Sequence, residues 1–240
     1  MRRAVADAIS VARFLAFLAG VVSLWAAVAS PLAQLDRGQL TAHMIQHLLI
    51  MTVAAPLLLL GEPAFVFWNA LPARVRGRRR GAPGAASGPR RRSLHPAICW
   101  FAGTFVVLVW HVPRLFEVGM QWHGVQHATF LAAGVLFWVP VIQPWPTVSR
   151  WPRWSIPVYL FLATLPCDAL SAFLTFCGRV VYPRYGSMHV HSGVSPLEDQ
   201  GRAGALMWFW VTIAYLVPAV LVTIELLSPR RSAPRPGGAP

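Results

Sequence analysis

Six stretches of mostly apolar residues, nearly all about 20 long and separated by short polar breaks, leave this 240-residue chain few ways to fold. They cover roughly residues 9–29, 40–60, 97–111, 124–142, 156–177 and 203–227, the third being the shortest. Lipid offers no water to an open backbone, so segments of this length and hydropathy are read as transmembrane helices. Composition agrees: 56% hydrophobic residues, 12% charged residues and a mean hydropathy of +0.52 lie far from a soluble average. The expected fold is all-α, a polytopic transmembrane helix bundle of about six spans, with residues 1–240 as a single integral-membrane domain. Tryptophans near the span ends, among them Trp100, Trp110, Trp122, Trp138, Trp145 and Trp208, fit interfacial belts.

The formal charge of +13 comes entirely from arginine. A folded basic surface would suggest nucleic acid, but these arginines cluster between apolar spans, where they set membrane orientation and contact anionic lipid. No nucleic-acid partner is expected. Between Arg74 and Arg92 lie eight arginines among Gly, Pro, Ala and Ser, the composition of a polar loop retained in the cytoplasm. With loop 62–96 inside, alternation puts about sixteen of the 21 arginines on the same side. Both termini are then cytoplasmic, residues 178–202 form an outer loop and residues 228–240 a flexible cytoplasmic tail. The leading Met-Arg-Arg, an apolar run and Ala27-Val28-Ala29 have the layout of a secretory signal, but the run is long for one. The first span is therefore expected to be retained in the cell membrane.

Two copies of one histidine device start two of these spans: His43-Met-Ile-Gln-His47 and His123-Gly-Val-Gln-His127. Histidines four apart share a helix face and sit about 6 Å apart along the axis, so two imidazoles can grip one ion. On the arginine-derived topology both pairs lie at the outer face, where His111 closes the third span and His189 and His191 occupy the outer loop. Seven of the eight histidines thus map to one side; His95 alone falls inside. A single histidine there reads as a headgroup anchor, but two pairs plus His111 at one depth point to a shared metal site. Neutral imidazole suits copper, zinc, iron and nickel, and neighbouring helices complete a shell that one helix cannot.

Several residues stand second to these five. Met51 extends the His43 and His47 stripe by a turn, and a thioether favours Cu(I), although helical methionine usually packs. Met188-His189-Val190-His191 reads as a loose capture site. Asp168 lies near the middle of the fifth span, where a carboxylate is costly: it is a metal ligand, a proton relay or a carboxyl bonded to a neighbouring helix. Cys99, Cys167 and Cys177 lie in or beside apolar spans, which argues against a disulfide framework, and Cys177, near a span end, is the one fair metal candidate. Glu117, Glu198 and Asp199 read as solvated charges in outer loops.

Enzyme readings find little support. A zinc protease needs glutamate directly after the first histidine of its pair, and those positions are Met44 and Gly124. There is no Gly-rich phosphate loop at a strand-to-helix junction and no GxSxG elbow. No catalytic residue is assigned.

At these residues the chain resembles the CtaG family of cytochrome c oxidase assembly factors, which are polytopic membrane proteins. The likeness runs through SPLAQL at 30–35, HMIQHLLIMTVAAPLLLLGEP at 43–63, HPAICW, WHVPRLFE, HGVQHATFLAAGVLFWVPVI at 123–142, VVYPRY and SPLEDQGRAGALMW at 195–208. The resemblance implies a role in maturing a haem-copper oxidase, with copper as the metal and oxidase subunits and membrane lipid as partners. It places His43, His47, His123 and His127 on the family's own histidine motifs. Two departures stand out: members generally look like seven-span proteins whereas six spans are expected here, and Cys167-Asp168 stands where members often carry a glycine. The favoured function is an assembly factor and metallochaperone that binds copper at the outer histidines and passes it on. A copper permease, with Cys167 and Asp168 continuing the path inward, a haem-binding membrane cytochrome and a metal-free assembly scaffold are the alternatives.

Overall fold

The computed structural model describes residues 2–36, 38–70, 91–92, 94–148, 151–188 and 193–228. Helices account for almost all of it, and five of them are long and apolar enough to cross a membrane, or six when one bent pair counts as a single span. The all-α, multi-pass reading holds.

Each crossing follows from local chemistry. Helix α1 (Arg2–Ala29) ends at Ser30-Pro31, and the single turn α2 (Leu32–Leu35) returns the chain to the second crossing. That crossing has three parts: α3 (Leu40–Leu48), a π-helical segment (Leu49–Ala54) and α4 (Ala55–Leu60). A π turn is wider than an α turn and leaves carbonyls off the regular ladder. Two tryptophans bond to this segment: Trp138 Nε1 donates to the Met51 carbonyl at 2.8 Å and Trp210 Nε1 to Thr52 Oγ1 at 2.8 Å. Trp138 is therefore a buried strut, 4% exposed, and not the interfacial anchor its place near a span end suggests.

Helix α5 (Pro63–Ala70) occupies the start of the stretch expected to be loop. Arg91–Arg92 forms β1, which pairs in parallel with β2 (Thr147–Val148). The arginines from 74 to 90 and the tail from 229 lie outside the described residues.

The third crossing, α6 (Pro96–Trp110), is only 15 residues, about 22 Å at 1.5 Å per residue. It stops because Pro113 keeps Val112 extended, and the chain turns 88° into α7 (Pro113–Gln121). Helix α8 (His123–Ile142) crosses back and ends at Gln143, whose φ of 53° lies in the left-handed region. Helices α9 (Ser155–Phe176) and α11 (Pro196–Leu227) complete the bundle, joined by the short α10 (Pro183–Met188).

Small residues set the closest approaches, as packing between membrane helices favours. A Cβ at Gly204 of α11 would meet Thr175 Oγ1 at 2.6 Å and the Ser171 carbonyl at 2.9 Å on α9. Gly134 of α8 presses on the Met51 backbone in the π segment. By alternation, the start of α3, the end of α6, the start of α8, the end of α9 and the start of α11 share one end of the bundle. Ion pairs tie the opposite end: Arg13 to Glu62 at 3.0 Å, and Arg153 to Glu225 through two bonds of 3.0 and 2.7 Å.

Candidate metal centre

Helix α3 has no side-chain cap of its own at Gln39, and a distant carboxylate serves instead. Asp199, in the first turn of α11, accepts from Leu40 N at 2.6 Å, Thr41 N at 3.2 Å and Thr41 Oγ1 at 2.6 Å. A carboxylate facing the positive end of a helix satisfies amides that lipid cannot. Asp199 is 4% exposed, so it is a buried cap and not a solvated loop charge; Glu117 and Glu198 are exposed, as a loop position predicts. The early start of α11, seven residues before the apolar stretch, is what brings Asp199 inward.

Fixed in this way, α3 points His43 and His47 into the bundle, with ring centroids 4.2 Å apart. His43 meets His123 of α8 at 5.5 Å, and His47 meets His127 at 6.0 Å and His111 at 6.3 Å. His123 and His127 stack at 5.1 Å. The five histidines singled out by sequence thus come together in one cluster drawn from three crossings. His43, His47 and His111 are buried, while His123 and His127 are half-buried.

The ring nitrogens suit ligation. His111 Nδ1 lies 2.6 Å from the Val107 carbonyl, which can only accept, so Nδ1 carries the proton and Nε2 keeps its lone pair. His111 Nε2, both nitrogens of His43 and His47, and His127 Nε2 are buried with no hydrogen-bond partner among the described residues. Gln46 and Gln126, one before the second histidine of each pair, are fully buried with their amides likewise unpartnered. Buried polar atoms left this way are costly unless something else occupies their valences.

One member went unrecognised in the sequence. Asp36, buried beyond α2, brings its Oδ2 to 3.2 Å from His123 Nε2. Asp36, His43 and His123 each offer a ligand atom, all within 4.8 Å of one another. A tetrahedral ion with bonds of about 2.1 Å spaces its ligands by about 3.4 Å, so modest side-chain rotation would close the set. Asp36 is the one acid between the first two spans, which was the available signal.

A strap closes the cluster from the side of the loop. Tyr182 OH donates to the His111 carbonyl at 3.0 Å and Tyr185 OH to the Asp36 carbonyl at 2.8 Å. Burial raises both phenol pKa values, and the nearby Asp36 and Asp199 carboxylates raise that of Tyr185 further, so both remain donors. Phe116 of α7 fills the space between, with its ring 4.2 Å from Tyr182 and 4.9 Å from His43. Gln200 pins the strap, accepting from Val181 N at 2.7 Å and donating to the Arg179 carbonyl at 3.1 Å.

The sequence profile of the cytochrome c oxidase caa3 assembly factors matches residues 1–228. The chain belongs to that family. No curated protein and no solved structure matches it significantly. A cytochrome c oxidase assembly factor of this family therefore carries, at one end of its bundle, five histidines and a carboxylate. The secondary candidates scatter. Met51 lies in the π segment beneath the cluster. Asp168 lies beside the Thr164 hydroxyl of its own helix. Cys177 caps the end of α9 half-buried, and His189 and His191 fall outside the described residues.

Proposed function

We propose that this assembly factor binds copper transiently at the histidine cluster and delivers it to a cytochrome c oxidase subunit at the outer face of the cell membrane. The observation that carries the reading is the convergence of Asp36, His43 and His123 within 4.8 Å, backed by His47, His111 and His127. Copper here is cargo. The residues fit it in kind: imidazole suits copper in either oxidation state, and one carboxylate offsets part of the ion's charge. They also fit it in number. Three ligands with three more imidazoles nearby make an incompletely closed shell, and an ion so held can pass to a partner by ligand exchange.

Two physical features favour an ion over a haem. His43 and His47 are in edge contact, which leaves no slot between them for a macrocycle. The cavity beneath, bordered by His47 and His111, measures about 30 Å³, too small for a macrocycle to sit on these imidazoles from that side. The arginine-rich stretch after the second crossing supports the outer assignment of the histidine end.

The test is the double substitution His43→Ala and His127→Ala in cells that depend on this assembly factor. Bound copper and oxidase activity should both fall while the level of the protein stays normal. Full oxidase activity in that variant would sink copper delivery.

A further inference from the structure

Beneath the histidines, toward the middle of the bundle, lies a cavity of about 30 Å³ with an unusual wall. Met44, Met51 and Met207 line it together with Cys167, and its upper side is His47 and His111. Three of the chain's six methionines and one of its three cysteines therefore face one small space. They come from three different crossings: α3 with its π segment, α9 and α11. Methionine is a common filler of irregular gaps, and a filled gap would need nothing more. Here the side chains leave a cavity between them, and two imidazoles border it: His47, with neither nitrogen partnered among the described residues, and His111, whose Nε2 keeps its lone pair because Nδ1 faces the Val107 carbonyl.

The donor sets of the two levels differ in chemical kind. Above, Asp36, His43 and His123 combine a hard carboxylate with imidazoles, a set that divalent ions accept. Below, three thioethers and a thiol share the wall with apolar side chains such as Leu48, Val107 and Phe130, and such soft donors select a monovalent soft ion. We infer that the cavity is a second metal position, selective for Cu(I) and joined to the upper position by the His43–His47 contact on α3. The inference rests on the proposed handling of copper but names a separate site, which places one ion below the histidine layer and out of reach of water. It assigns a ligand role to Met44, Met207 and Cys167 as well as Met51, and makes Cys167, rather than Cys177, the cysteine that reaches metal. The helix register explains the choice: Cys177 sits ten residues further along α9, at its end.

The test uses the full chain purified in detergent under reducing conditions, with Ag(I) as a redox-inert probe of the lower position and Zn(II) as a probe of the upper. In the unaltered protein, X-ray absorption at the silver edge should show sulfur neighbours. The volume-conserving pair Met51→Leu and Met207→Leu should weaken Ag(I) binding at least tenfold and strip sulfur from its shell, while Zn(II) binding is unchanged. The pair Asp36→Asn and His123→Ala should do the reverse, losing Zn(II) while keeping sulfur-bound Ag(I). A silver shell of nitrogen and oxygen alone, or unchanged Ag(I) affinity in the methionine pair, would overturn the lower site even if the upper one binds. An unaltered protein that binds no Zn(II) but holds sulfur-bound silver would count against the delivery reading and leave the lower position standing.

Discussion

Asp36 separates charge from shape at the cluster, because asparagine there keeps the volume and removes the anion. Metal affinity in Asp36→Asn should fall about tenfold or more, roughly 1.4 kcal/mol, in a competition titration. Unchanged affinity would show that the carboxylate only orients His123. The five histidines were legible because their spacing is a property of one helix, and a common depth follows from alternation. Asp36 was not, since nothing local says that a residue in a tight connection between spans folds back over the next helix. Asp199 misled for a similar reason: a charge in a polar segment reads as solvated until its helix is known to start there.

At the scale of elements, α3 depends on a cap supplied from 158 residues away along the chain. Asp199→Ala leaves Leu40 N and Thr41 N without an acceptor, which should cost about 1–3 kcal/mol and lower the unfolding temperature in detergent. An unchanged transition would mean that water replaces the carboxylate. The α9–α11 seam is equally exacting. Gly204→Ala drives a Cβ into backbone at Ser171 and Thr175, with an expected loss of about 1–3 kcal/mol by the same measurement, because backbone cannot step aside as a side chain can. The helices themselves were readable from hydropathy. The π segment and the buried Trp138 were not, because both depend on which carbonyl a neighbouring helix reaches.

Over the whole molecule, the histidine cluster sits at one end, the Arg13–Glu62 and Arg153–Glu225 pairs sit at the other, and the proposed function sets the histidine end outward. A membrane-impermeant thiol reagent applied to intact cells should label Glu117→Cys on the exposed face of α7, in a chain without its native cysteines. It should not label Ser228→Cys at the end of α11 until the membrane is opened. The opposite pattern would reverse the orientation and remove the histidines from the outer side. The strap over the cluster has a further consequence. Tyr182 and Tyr185 fasten to the carbonyls of His111 and Asp36, atoms that every amino acid possesses. The enclosure is therefore indifferent to which side chains it encloses. Ligands at positions 36 and 111 can be exchanged without unfastening the cover, so a change of preferred ion within such a frame needs no rebuilding of the fold around it.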